Sequence, residues 1–98
     1  MHAFQKKVLD IVKKIPRGKL MTYMQLAKKS HSSPRAVGRA LATNPSPNKI
    51  PCYRVIMTNG KIGGYRLGAK QKIKLLKKDG FTIKNGKILC LTKKAIFG

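Results

Sequence analysis

The sequence has almost no negative charge. Its 98 residues hold 23 lysines and arginines against two acids, Asp10 and Asp79, and no glutamate. A glycosidase-type pair of carboxylates would have to use both acids. Carboxylate cages for calcium or for two-metal chemistry cannot be built from two. Metal-ligating side chains are also sparse: Cys52, Cys90, His2 and His31, with no Cys-x-x-Cys and no spacing that fits a zinc site. No metal is expected. Long apolar runs are missing too, and nothing approaches the roughly 20 residues that span a bilayer. Lys6, Lys7, Asp10, Lys13 and Lys14 interrupt the N-terminal stretch, so it carries no signal-peptide core. The expectation is an intracellular protein of cytoplasm or nucleoid, with no membrane partner and reduced thiols.

What is present is positive charge, a formal +21. Self-repulsion at that density opposes compaction, and a polyanion would relieve it. Nucleic acid is the leading partner class, an anionic membrane surface the second, and a merely solvated surface the plainest alternative. Neither an internal repeat nor a low-complexity linker divides the chain. The reading is one small domain over residues 1–98, large enough to fold alone.

Helical periodicity is clear at the start. Phe4, Val8, Ile11, Val12 and Ile15 share one face, lysines cover the other, and Pro16 with Gly18 stops the helix. Thr22 with Gln25 reads as a capping box opening a short helix to about Lys29. Ser33 caps and Pro34 begins a third helix to about Thr43, with Val37, Ala40 and Leu41 inward. Two short helices joined by a polar turn make a helix-turn-helix candidate. The second is basic yet lined with small residues (Arg35, Ala36, Gly38, Arg39), so its backbone could approach a partner closely. Pro45, Pro47 and Pro51 preclude regular structure and predict a stiff loop delivering Cys52 to a defined place.

An extended run over Arg54–Met57, a turn at Thr58-Asn59-Gly60 and a glycine-rich loop from Gly63 to Gly68 follow. That loop lacks both the strand–GxGxxG–helix context and the P-loop ending, so it is no nucleotide fingerprint. A fourth helix from Ala69 to Asp79 should bury Ile73, Leu76 and Leu75, ending at Gly80. Lys72, Lys74, Lys77 and Lys78 are read as its solvated face. Residues 81–91 read as a hairpin turning at Asn85-Gly86. The fold class is therefore mainly α: a small single domain with a winged-helix-like helix-turn-helix, a stiff proline-rich loop and a short C-terminal β-hairpin.

Cys90, in an apolar run, reads as an ordinary buried cysteine. Cys52 differs, because Lys49 and Arg54 flank it in an entirely positive chain, a setting that favours thiolate. Ile50-Pro51-Cys52-Tyr53-Arg54-Val55 resembles the Ile/Val-Pro-Cys-His-Arg-Val signature of the O6-alkylguanine-DNA alkyltransferases. The resemblance covers nearly the whole chain. Arg35-Ala36-Val37-Gly38 resembles that family's recognition helix, and Asn44-Pro45-x-Pro47 its approach to the active site. Gly18-Lys19-x-x-Thr22-Tyr23-x-Gln25-Leu26-Ala27, Gly63-Gly64-Tyr65 and Asp79-Gly80 match further blocks in the same order. The N-terminal domain that many members carry is not seen, and the chain is expected to begin directly at the catalytic domain.

The resemblance implies suicidal transfer of an alkyl group, methyl above all, from guanine O6 in double-stranded DNA to Cys52, with no cofactor and a monomeric protein. It assigns Cys52, Tyr53, Asp79, Tyr65 and Asn44 to catalysis. Tyr23, Arg35, Ala36, Gly38, Arg39 and Arg54 fall to DNA binding. Pro47, Val55, Gly63, Gly64 and Arg66 fall to the substrate pocket. Thiolate attack suits an alkyl carbon, and the base must leave the stack first. Arg35 would fill the gap it leaves, and Tyr23 would crowd the adjacent phosphate or donate toward the base.

One position departs from the family pattern. Tyr53 stands where the family has a histidine that relays the thiol proton, oriented by a glutamate whose place Asp79 takes. An ordinary tyrosine is a poor base at neutral pH. Either the positive field lowers the Tyr53 phenol enough to accept a proton, or Cys52 needs no relay, or the thiol is sluggish. Activity is the favoured expectation, since nucleophile and flipping residues remain. Two alternatives stay open: an alkyltransferase-like sensor of damaged DNA without transfer, and a plain helix-turn-helix binder.

Overall fold

A computed structural model describes residues 2–45, 49–65, 67–89, 91 and 93–97. Pro47, Arg66 and Cys90 lie outside the described residues. Helix α1 (His2–Lys13) buries Val8, Leu9 and Val12, with Ile15 just beyond it, and leaves its lysines exposed. A two-residue strand β1 (Met21–Thr22) leads into α2 (Tyr23–Lys29). Thr22 thus serves twice. It pairs in a strand, and its hydroxyl accepts from the Gln25 amide while the Gln25 side chain accepts from the Thr22 amide, the reciprocal capping box read from the sequence. The turn passes through His31 in the left-handed region (φ 56°) and reaches Ser33, whose hydroxyl accepts from the Ala36 amide and opens α3 (Pro34–Ala42).

A single 3-10 turn (Cys52–Arg54) runs into β2 (Val55–Ile56), which pairs parallel to β1 with Met21 opposite Val55 and Thr22 opposite Ile56. The extended run expected from Arg54 to Met57 is shorter: Arg54 belongs to the turn. Helix α4 (Ala69–Lys78) ends at Asp79, and Gly80 takes the positive φ (101°) that a C′ position requires. Strands β3 (Ile83–Lys84) and β4 (Lys87–Ile88) form the expected hairpin, with Asn85 and Gly86 both at positive φ. A final 3-10 turn spans Lys93–Ala95.

Two apolar clusters share the interior. One joins α1, α2 and α3 around Val8, Val12, Leu26 and Val37, and includes Cys52. The other joins the β-elements to α4 around Leu20, Ile56, Ile62 and Leu76, and includes Tyr53. The 3-10 turn therefore straddles both cores, with the cysteine in one and the tyrosine in the other. Leu76 is buried as expected, while Ile73 and Leu75 pack partly exposed. Lys72 overturns its reading as a solvated residue: it is fully buried. Among the described residues, no helix is long and apolar enough to cross a membrane.

Candidate active site

Cys52 is 4% exposed and lines a cavity of about 310 Å³. The other lining residues are Tyr23, Gly38, Leu41, Ala42, Gly64 and Tyr65. The volume sits at the lower end of ligand sites, which begin near 300 Å³. The floor is built from separate parts of the fold. The straddling 3-10 turn supplies the thiol, α2 supplies Tyr23, α3 supplies Gly38 and Leu41, and the glycine-rich loop supplies Gly64 and Tyr65.

Asn44, fully buried just after α3, donates from Nδ2 to Cys52 Sγ at 3.3 Å and to the Ile50 carbonyl at 3.2 Å. One side chain thus holds both ends of the proline-rich loop and aims a donor at the sulfur. Tyr65 is the counterpart on the opposite loop. Its hydroxyl is buried with no hydrogen-bond partner among the described residues. Burial, and then the nearby Cys52 charge, push the Tyr65 and Tyr23 phenols up. Both stay neutral donors. The Tyr23 hydroxyl lies 3.4 Å from the Gly64 carbonyl, to which it donates.

Gly63 explains part of this geometry. It adopts φ 72°, and a Cβ there would come within 3.2 Å of Tyr23 Cε2. Glycine lets the loop lie directly against the tyrosine ring. Gly63 itself faces the neighbouring groove rather than the cavity. That groove is bordered by Tyr23, Met24, Pro34, Arg35, Gly38, Met57 and Gly63, and it shares Tyr23, Gly38 and Gly64 with the cavity. The exposed Arg35 at the start of α3 therefore stands on a surface continuous with the cavity mouth. Ala36 and Arg39 border a hollow on the other flank of α3, toward Phe4 and Gln5.

Several expected placements are corrected. Tyr53 and Asp79 do meet, as expected, through a direct hydrogen bond. The Tyr53 hydroxyl donates to Asp79 Oδ2 at 2.9 Å, and among the described residues no hydrogen bond joins it to Cys52. Burial and the Asp79 carboxylate push the Tyr53 phenol up, opposite to the lowering considered from overall charge. Local desolvation wins because the surface lysines act through water. Arg54 is not free for DNA: Nε donates to Asp79 Oδ2 at 2.8 Å, Nη1 to the Ile15 carbonyl at 2.9 Å, and its side chain is 13% exposed. Arg17 adds a longer ion pair to Asp79 at 3.8 Å. Val55 lines no part of the cavity; it is fully buried in the core. The expected pocket residues Pro47 and Arg66 lie outside the described residues.

Sequence reasoning missed Lys72, whose Nζ donates to the Val55 carbonyl at 2.7 Å and the Gly64 carbonyl at 3.1 Å. The signal was there: Lys72 lies four residues before Leu76 and so shares its inward face. Leu41 was foreseen as core but not as cavity wall. No group of three or more metal-ligating side chains occurs among the described residues.

Residues 3–81 match the family described as 6-O-methylguanine DNA methyltransferase, DNA binding domain. A methylated-DNA–protein-cysteine methyltransferase of Methanocaldococcus jannaschii is 53% identical over 76 residues, covering 78% of this chain and 45% of that protein. The crystal structure of O6-methylguanine-DNA methyltransferase from Pyrococcus kodakaraensis superposes with a TM-score of 0.73 at 45% identity, covering 79% of this chain and 46% of that one. S. pombe Atl1, in complex with damaged DNA containing O6-carboxymethylguanine, superposes with a TM-score of 0.84 at 27% identity, covering 100% of this chain and 97% of that one. The chain spans about half the length of the curated relatives it matches. The chain belongs to the 6-O-methylguanine DNA methyltransferase, DNA binding domain, family.

Proposed function

We propose that this chain repairs DNA by direct reversal, taking an alkyl group from guanine O6 onto Cys52 once per molecule. On this reading it is the catalytic part of the family's proteins, and it acts where DNA is, inside the cell, as a monomer. The observation that carries the reading is the cavity itself. It sets the Cys52 sulfur, with Asn44 donating to it, among the same walls as the Tyr65 hydroxyl, which has no partner among the described residues. An orphaned buried donor is costly unless a ligand meets it.

A guanine extruded from the duplex would enter from the Arg35 groove, with the Arg35 guanidinium taking its place in the stack. Sulfur attacks the alkyl carbon, the S–C bond forms and the C–O bond breaks. The electron pair passes to guanine, which the Tyr65 hydroxyl meets with a hydrogen bond, and the base takes up a proton from water. The thioether product has no ready route back to thiol.

The test uses duplex DNA whose restriction site is blocked by O6-methylguanine. Incubation with the protein should restore cleavage, and Cys52→Ser should leave the site blocked. A duplex that stays blocked although bound would favour the second reading, a damage sensor without transfer. The end-to-end superposition on Atl1, and a Tyr53 occupied with Asp79, favour that alternative. Arg35→Ala should reduce restoration more than it weakens binding to undamaged duplex. Equal losses would support a plain helix-turn-helix binder.

A further inference from the structure

Helix α4 turns its lysines in two opposite directions. Lys72 is buried and donates to the carbonyl of Gly64, a residue of the cavity wall. Lys70, Lys74, Lys77 and Lys78 are exposed. At about 100° per residue, Lys70, Lys74 and Lys77 fall within about 60° of one another, on the side opposite Lys72 and Leu76. Their face therefore points away from the cavity and from α3, which packs in the other apolar cluster. Arg17 extends it at the helix end, where Nη2 donates to the Lys78 carbonyl at 2.9 Å.

The charge of this face is not offset from within the chain. Among the described residues, no ion pair includes any of the four exposed lysines. Asp79 is taken up by Tyr53 and Arg54, and its contact with Arg17 is a long one at 3.8 Å. Like charges at i and i+4 repel, here Lys70 with Lys74 and Lys74 with Lys78. Lys70 also lies in the first turn, which holds no acid and has no side-chain cap, and there the helix dipole disfavours a cation. A polyanion laid along the face would relieve each of these.

We propose that the outer face of α4, formed by Lys70, Lys74, Lys77 and Lys78 with Arg17, is a second DNA-backbone surface. One molecule then holds two duplex segments, one at the Arg35 groove and one on α4. The surface is separate from the cavity, and its use does not depend on Cys52 accepting an alkyl group. From Lys70 to Lys77 the helix rises about 10 Å, a length over which a duplex carries on the order of six phosphates. Ammonium groups on flexible stems meet phosphates as point charges and read no base, so this contact is indifferent to sequence and to lesion. A membrane surface fits less well. An interfacial helix needs an apolar side to bury in lipid, whereas Ile73, Leu75 and Leu76 pack with the second core. A molecule that holds two segments can pass from one to the other without releasing DNA.

The test uses undamaged duplexes, so it is independent of alkyl transfer. Two short duplexes, one with a donor dye and one with an acceptor, are mixed with the protein, and energy transfer between them reports bridging. The expected result is a bridging signal with the wild-type protein. It should be lost when Lys70→Gln, Lys74→Gln and Lys77→Gln are combined, while binding of a single duplex is retained. A second variant, with Lys61→Gln, Lys84→Gln and Lys87→Gln, removes the same charge from the exposed hairpin side. It should keep bridging, and an equal loss there would overturn the proposal in favour of net charge alone. The wild-type protein gives an independent reading through lysine acetylation with and without excess duplex, quantified by mass. Protection of Lys70, Lys74 and Lys77 by the duplex supports the surface. Unprotected lysines, or protection by phosphatidylserine vesicles and not by duplex, overturn it.

Discussion

Asp79 concentrates the chemistry of a scarce residue type. It receives hydrogen bonds from Tyr53 and Arg54, and its side chain is only 5% exposed. It ties the end of α4 to the turn that carries Cys52, and Arg54 extends the tie to Ile15 after α1. Asp79→Asn leaves a mostly buried arginine short of its counter-charge, and breaking such a pair costs about 3 kcal/mol or more. A clear drop in the thermal midpoint is expected. An unchanged midpoint with abolished alkyl transfer would instead return Asp79 to a proton relay. All three tyrosines have raised phenols. In the window above the ordinary value near 10, the folded chain keeps protons that the unfolded chain has lost. Stability is therefore retained below that value and falls as pH rises through the folded values. Absorbance titration at 295 nm should show no phenolate step below pH 10 in the folded protein. A step below 10 would contradict the donor roles of Tyr23 and Tyr65.

The helix-turn-helix depends on its caps at the level of elements. Ser33→Ala removes the acceptor for the Ala36 amide, and Thr22→Ala removes half of a capping box. Each should cost about 1 kcal/mol by chemical denaturation. Ser33→Ala should also weaken DNA binding, because it loosens the turn that presents Arg35. Gly63→Ala combines a positive φ with a close approach to Tyr23, and should cost more than about 1 kcal/mol while changing the cavity wall. These elements were legible because caps, turns and helical faces are written in residues a few positions apart. The capping box, the Ser33–Pro34 start and the Asn85-Gly86 turn all stand where the sequence puts them. The β1–β2 pairing was not legible, since it joins segments more than thirty residues apart and each strand has two residues. Lys72 was misread because charge type outweighed its position on the inward face. Arg54 was misread because its flanking of Cys52 in sequence says nothing about which way its guanidinium turns. Tyr53 and Asp79 were rightly brought together, but the tyrosine packs in the second core while the cysteine packs in the first.

For the whole molecule, charge sets the terms. Lys72 is lowered from 10.5 to about 8, so between those values the unfolded chain binds a proton that the folded chain has released. Stability should rise with pH across that window and be lost as pH falls through about 8. Lys72→Gln should flatten that rise in a denaturation series, and a slope unchanged by the substitution would contradict the assignment. The net charge of +21 predicts steeply salt-dependent DNA binding, with a log–log slope of roughly −0.9 per phosphate contacted. That slope reports backbone contacts only and does not separate repair from mere binding. The decisive measurement is mass spectrometry of the protein after mixing with increasing amounts of an O6-methylguanine duplex. The account predicts that the Cys52 peptide gains one methyl group, in proportion to lesion supplied, until every molecule is modified once. Tight retention of the lesion duplex with an unmodified Cys52 peptide at every ratio would contradict it.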